Sequence, residues 1–262
     1  MQLLFLGDIV GRPGRAAVAK LLPGLVQEHR VDLTIANGEN AAGGLGITPT
    51  GAAELLQAGV QVLTTGNHVW RHREILEFID NEPRLLRPAN YPPGTPGAGS
   101  GIYRAACGSR VGVVNLMGRT FMEPIDCPFR AADREIEGLH GKTDVIVVDI
   151  HAEATSEKLA VGWYLDGRVG AIIGTHTHVQ TSDERLLPKG SAYITDAGMT
   201  GPRDSVLGVQ PQKIVDRFLT AMPNRFELAP GAITLNAVLV DLDTKTGAAR
   251  SIQRVIESTE AG

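Results

Sequence analysis

An α/β fold, with helices on the outside of more than one sheet, is what the sequence predicts, and three observations predict it. Short apolar runs alternate with helix-like stretches along the 262 residues. The first half runs β-α-β-α-β, an order that builds parallel strands joined by right-handed crossovers. The second half is more mixed, with a hairpin among its strands and helices. A chain of this length buries a sizeable core, and a single domain over 1–262 is expected.

The elements follow in order. The apolar run 3–6 reads as a strand and 14–30 as a helix, with Pro23-Gly24 placed to kink or split it. A second strand covers 31–36. Thr48-Pro49 has the form of an N-cap followed by proline at the first helical position, and Gly59 closes that helix. A third strand at 61–65 precedes a helix at 72–80. The stretch RPANYPPGTPGAGSG, 87–101, is loop. Residues 102–106 and 110–116 pair as a hairpin turning at Cys107-Gly108-Ser109. A strongly apolar strand at 144–150, a helix at 155–165 and a strand at 169–173 come next. Strands at 193–195, 232–241 and 250–256 complete the chain, with a helix near 212–219.

Composition narrows the function. Hydrophobic residues make up 43% and charged residues 21%, which is a globular and not a disordered balance. The net charge is −4 and no stretch is densely basic, which argues against a protein that grips duplex nucleic acid. Small phosphorylated substrates need only a few local charges and stay open. Cys107 and Cys127 form no CxxC pair, which predicts a reduced, cytoplasmic setting and argues against a structural zinc site. Residues 1–6 are apolar but too few for a signal peptide, and no window reaches membrane-spanning length, so no membrane association is expected. Gly7, Gly11 and Gly14 are spaced GxxxGxxG and not GxGxxG, which rejects dinucleotide binding.

The stretch LTIANGENAAGG, 33–44, places Asn37, Glu39 and Asn40 directly after an apolar strand. Every other major strand of the parallel part ends the same way: Gly7-Asp8, Gly66-Asn67-His68, His151, and Gly174-Thr175-His176-Thr177-His178. The carboxyl edge of a parallel sheet is where loops converge on a crevice, so residues from Asp8 to His178 can meet there. Asp and Glu supply charge, imidazole suits iron, manganese or zinc, and an amide oxygen completes a hard site. Two ions about 3.5–4 Å apart clamp a phosphoryl group and lower the pKa of a water from 15.7 towards about 7. Singly, each residue has a structural reading: Asp8 as a helix cap, Asn37 with Gly43-Gly44 as turn chemistry, His151 as a satisfied core histidine. His176 and His178, alternating in extended backbone, point the same way. Five such strand ends together favour metal binding, because burying unpaired polar groups is costly.

These residues, in this order, resemble the calcineurin-like metallophosphoesterases. The strings GDIVGRPGR, NGENAAGG, TTGNHVW, HAEATSEK, GTHTHV and TDAGMTGP are similar to the YmdB-like branch, a bacterial group acting on cyclic nucleotides. The likeness runs from Gly7 to about Leu207. Three positions depart from the broader superfamily: Val10 in place of a histidine, Glu39 in place of an aspartate, and Val69 after His68 in place of an acid. Asn40 stands in for the missing histidine, and the branch itself shares these departures.

The resemblance implies a metallophosphoesterase-like sandwich of two mixed β-sheets flanked by helices, holding two divalent metal ions per chain. One ion would be held by Asp8, Glu39, Asn40 and His178, the other by Glu39, Asn67, His151 and His176. Iron or manganese is the leading choice, with zinc or magnesium open. A hydroxide bridging the metals would attack phosphorus, while His68 protonates the leaving oxygen or hydrogen-bonds the phosphate. The implied substrate is a small phosphodiester, a 2′,3′-cyclic nucleotide first. The alternatives are a phosphomonoesterase or nuclease on the same metal pair, and a non-catalytic nucleotide- or metal-sensing regulator. Arg119 and Phe121 are candidate base or ribose contacts, and Arg12 and Arg15 are phosphate contacts or solvated surface charges. A homo-oligomer is expected.

Overall fold

A computed structural model describes residues 1–259; the last three residues of the expected 1–262 domain lie outside it. The chain runs β1 (Gln2–Leu6), β2 (Asp8–Ile9), α1 (Gly11–His29), β3 (Leu33–Asn37), α2 (Pro49–Gln57), β4 (Val62–Thr64) and α3 (Ile75–Ile79). It continues through β5 (Ser100–Arg104), β6 (Arg110–Met117), α4 (Pro128–Leu139), β7 (Val145–His151), α5 (Thr155–Leu165) and β8 (Ala171–Thr175). The last elements are β9 (Arg185–Leu186), β10 (Ala192–Ile194), β11 (Met199–Pro202), α6 (Pro211–Thr220), β12 (Ile233–Leu242) and β13 (Ala249–Thr259).

Two mixed sheets result. The first has the order β2-β11-β12-β1-β3-β4, with β13 also paired to β12, and the second β5-β6-β7-β8-β10-β9. β1, β3 and β4 are parallel, as are β6, β7, β8 and β10. β12 runs antiparallel to β1, and β5 antiparallel to β6.

Alternation along the strands builds three apolar layers. Leu3, Phe5, Leu33 and Ile35 of the first sheet meet Val113, Val147 and Ile173 of the second in the central core. The opposite faces serve the helices. Leu4, Leu6 and Leu63 pack with Val18, Leu22 and Leu55 of α1 and α2. Val114, Val148 and Ile172 pack with Ala132, Val161 and Leu165 of α4 and α5. Strands buried on both faces read as continuous apolar runs, which is why they are legible in the sequence.

Several local signals act as expected. Thr48 Oγ1 accepts the Gly51 amide and Pro49 opens α2. The β5–β6 hairpin turns where expected, with Ala105 N donating to Ser109 O at 2.9 Å. Elsewhere the structure corrects the reading. α1 begins at Gly11 and passes Pro23 unbroken. The helix expected at 72–80 contracts to α3, Ile75–Ile79. α4 is an addition to the expected elements: its buried apolar positions are few and small, Ala131 and Ala132 among them. β2, β9 and β11 are too short to leave a periodic signal.

Candidate metal centre

The carboxyl ends of β1, β3 and β4 in one sheet and of β7 and β8 in the other converge. Gly7 makes the turn from β1 to Asp8 because a side chain there would collide with the Gly198 carbonyl. Asp8, Glu39 and His151 are fully buried and Asn40 is 2% exposed. His151 Nε2 lies 3.0 Å from Glu39 Oε1, 3.2 Å from Asn67 Oδ1 and 3.0 Å from His176 Nδ1. These groups share one focus, and Glu39, His151 and His176 each aim a ligand atom at it. Beside it is a second focus. Asn40 Nδ2 is 3.0 Å from His178 Nε2 and 3.2 Å from Glu39 Oε1, and His178 Nε2 is 3.8 Å from Asp8 Oδ1. Glu39 belongs to both. All seven residues expected as metal ligands therefore come together.

The donor set fits cations better than it fits itself. Three atoms with lone pairs surround His151 Nε2, yet the imidazole nitrogen offers at most one proton. Asp8 Oδ1, on the side of the second focus, is buried with no hydrogen-bond partner, which is costly unless something else satisfies it. Asn40 turns its nitrogen to His178 and its oxygen to His68 Nδ1 at 3.0 Å. A half-turn of that amide is needed for its oxygen to face a cation.

Crowding perturbs the titration of the five ionisable candidate ligands. Burial pushes Asp8 up to about 7, against the nearby His151 charge. Burial would also raise Glu39, but the charge and hydrogen bonds of His151, with those of His68, hold it well below the usual carboxylate range. Burial disfavours the His151 cation, yet Glu39, Asp8 and Asp149 outweigh it and raise the imidazole to about 9. Burial and the His151 charge lower His176 to about 3, and burial lowers His178.

A buried shell orients the ligands. His151 Nδ1 is 2.9 Å from Thr175 Oγ1, whose hydroxyl donates to Asp149 at 2.8 Å. That chain fixes the ring with Nε2 towards the cluster. Asp149 also accepts Thr64 Oγ1 at 2.5 Å and Asn37 Nδ2 at 3.1 Å, and burial pushes its pKa up to about 6. Asn37 Oδ1 in turn accepts the Glu39 amide at 3.1 Å. In LTIANGENAAGG, then, Asn37 is a brace while Glu39 and Asn40 face the centre. Asp149 carries a sequence signal: it is the one acid in the apolar run VIVVDIH, two residues before His151 and so on the same face.

The His176-Thr177-His178 turn corrects an expectation. Its backbone is not extended: φ is 97° at His176 and 66° at His178, left-handed values that are uncommon outside glycine. The two rings reach different foci. Asp196 imposes the turn, accepting the Thr177 amide at 3.0 Å and the Thr177 hydroxyl at 2.7 Å. Lys158, fully buried, pairs with the same carboxylate at 2.7 Å. Glu153 Oε2 stands 3.1 Å from His176 Nε2. Lys158 and Glu153 escape sequence reasoning as parts of the site, because only the folded chain places them under or beside the turn, whereas Asp196 lies in the TDAGMTGP string.

His68 is one-third exposed, its amide donating to Glu39 Oε2 at 3.1 Å, and its ring borders a cavity of about 660 Å³ with Asn40, Glu153, His176 and His178. Arg119 and Phe121 do not line that cavity; Phe121 is 90% exposed, and the Arg119 amide donates to Glu157 at 3.0 Å. Arg15 is committed elsewhere, to Glu54 at 2.6 Å and to the Ala41 carbonyl.

Helices outside two mixed sheets, with polar loops meeting at one end, are the architecture of calcineurin-like phosphoesterases. The solved calcineurin-like phosphoesterase YfkN from Bacillus subtilis shares the fold, with a TM-score of 0.54 over 98% of this chain and 90% of that one at 12% identity. The chain belongs to the YmdB-like protein family, whose model matches residues 4–255. It is 51% identical to the 2′,3′-cyclic-nucleotide 2′-phosphodiesterase of Bacillus subtilis (strain 168), over 98% of this chain and 97% of that protein. It is 43% identical to a hypothetical protein from Thermus thermophilus, whose crystal structure matches with a TM-score of 0.92 over 100% of both chains.

Proposed function

We propose that this protein is a metal-dependent phosphodiesterase that hydrolyses small cyclic nucleotides, 2′,3′-cyclic nucleotides first. The observation that carries the reading is the convergence of seven side chains able to ligate metal, four of which (Glu39, Asn40, His176 and His178) line one cavity, with the buried Asp8 Oδ1 left without a hydrogen-bond partner. The naming of the Bacillus subtilis relative supports the substrate class.

Asp8, Glu39, Asn40 and His178 would hold one cation, and Glu39, Asn67, His151 and His176 the other. Divalent cations at such a pair supply Lewis-acid charge for phosphoryl oxygens and make a water acidic enough to attack. The mixed imidazole, carboxylate and amide donors suit iron or manganese. His68 is free of both sets, and its ring edges the cavity, within reach of a leaving oxygen or a phosphoryl oxygen. Asp149, through Thr175, holds the His151 tautomer, and Asp196 holds the turn that separates His176 from His178. A cavity of about 660 Å³ suits a mononucleotide better than a polymer. Cys107 and Cys127 are both free, in keeping with a reducing cytoplasm.

The test is hydrolysis of 2′,3′-cyclic AMP by manganese-loaded protein with and without chelator. Chelator should abolish turnover. His68→Ala should keep its metal and lose most of its rate, and Glu39→Ala should lose metal. Chelator-insensitive hydrolysis, or full turnover by His68→Ala, overturns the corresponding assignment.

A further inference from the structure

The cavity has two unlike ends. Its floor is the polar cluster, and its far wall is apolar, built from the segment 206–228 around α6. No residue of α6 is buried, although Ile214, Val215, Phe218 and Leu219 give the helix a clear apolar face. Phe218 is 85% exposed and Phe226 43%. Both line the cavity that His68 and His178 also line. The Arg217 guanidinium lies over the Phe226 ring at 5.0 Å, forming a flat, cationic-aromatic surface.

This wall is anchored to the metal loops. Leu228 seats its side chain against Gly11 and Gly44, both at positive φ, where any Cβ would crowd it. Val209 bridges to Leu228 and Val206 to Val209, tying the segment into a compact unit beside the centre. A molecule that fills the whole cavity must therefore present an anionic group to the floor and a flat apolar group to the wall. A bare phosphodiester satisfies only the first.

We propose that Phe218 and Phe226, with Arg217 stacked on Phe226, form the base subsite, which takes the heteroaromatic base of a nucleotide and selects nucleotides over base-free phosphoesters. The inference rests on the reading of the floor as a phosphate site and extends it to specificity. Aromatic faces accept any base, so the subsite selects for a base without choosing strictly among bases.

The test separates binding from turnover. Manganese-loaded full-length protein is titrated with the 3′-phosphonomethyl analogue of adenosine, whose C–P bond resists hydrolysis. The comparison ligand is the same phosphonate on a 1-methoxyribose. The wild type should bind the adenosine compound at least about tenfold more tightly, the discrimination one stacked base supplies. In Phe218→Ala/Phe226→Ala that ratio should fall towards one with metal content retained; both rings are partly or largely exposed, so folding is not at stake. Equal binding of the two ligands by wild type, or a ratio that survives the double substitution, overturns the subsite. Discrimination without hydrolysis of 2′,3′-cyclic AMP leaves the subsite standing and removes the phosphodiesterase reading. Hydrolysis without discrimination does the reverse.

Discussion

Replacing Lys158 by methionine is a severe test of how the centre is supported. Lys158 and Asp196 pair at 2.7 Å with both side chains fully buried. At an effective dielectric of about 20, two unit charges at that distance attract by roughly 6 kcal/mol, most of it offset by the cost of taking both out of water. Lys158→Met keeps the volume and leaves the Asp196 charge alone. Breaking one side of a buried pair typically costs about 3–5 kcal/mol. Asp196 would still accept the Thr177 amide, the Thr177 hydroxyl and the Gly198 amide, so the lower end, about 3 kcal/mol, is expected. For a chain of this size that corresponds to a fall in Tm of about 6–12 °C. The assay is urea unfolding of metal-free protein followed by circular dichroism. Lys158→Met/Asp196→Asn should recover about 1 kcal/mol or more, since the lone charge is gone while the Thr177 contact survives. A loss under about 1 kcal/mol for the single variant, or a double variant as poor as the sum of the two singles, would refute the reasoning.

Three further outcomes are expected. Gly66→Ala puts a Cβ against the His151 ring and the Glu39 carboxylate; metal affinity, measured by competition with a chelating dye, should fall about 10–100-fold while circular dichroism stays native. Thr48→Ala removes the α2 cap and should cost about 1 kcal/mol in denaturant unfolding, with metal binding intact. Burial opposes ionisation of Asp183, but hydrogen bonds from Thr181 and Thr195 outweigh it and depress its pKa. A depressed carboxylate stabilises the fold above its unfolded pKa, about 3.9, and that contribution is lost as pH falls through the folded value. Asp183→Asn should therefore be less stable than wild type at neutral pH, with the gap closing below about pH 4; a gap that does not change with pH would show that ionisation is not the cause.

Much of the centre is legible because strands end abruptly. Leu33-Thr34-Ile35-Ala36 is followed by Asn37 and Glu39, and Val145–His151 ends in a histidine, so the chemistry sits where the apolar run stops. What escapes is contact across elements. Asp149 stands out as an odd charge in an apolar strand, but not that Thr64 and Thr175 from two other strands satisfy it. Arg119 and Phe121 follow from one strand end, while the cavity opens instead towards α6. α6 is legible as a helix; that its apolar face has no core to join is not, since periodicity shows that a face exists and not what it meets.

The sequence by itself determined the alternation of buried strands and helices, the parallel order of the first half, and the gathering of polar, ligand-type residues at the strand ends. These follow from short-range chemistry: pleat alternation, capping and the cost of burying charge. Tertiary structure decided how the ligands divide into two foci around Glu39, because that depends on where the two sheets abut. It also decided the left-handed turn at His176 and His178, which Asp196 and Lys158 hold from elements outside the turn. The apolar wall opposite the candidate metal centre is likewise a product of folding: residues 206–228 acquire a cavity to line only when the loops at the strand ends close the other side.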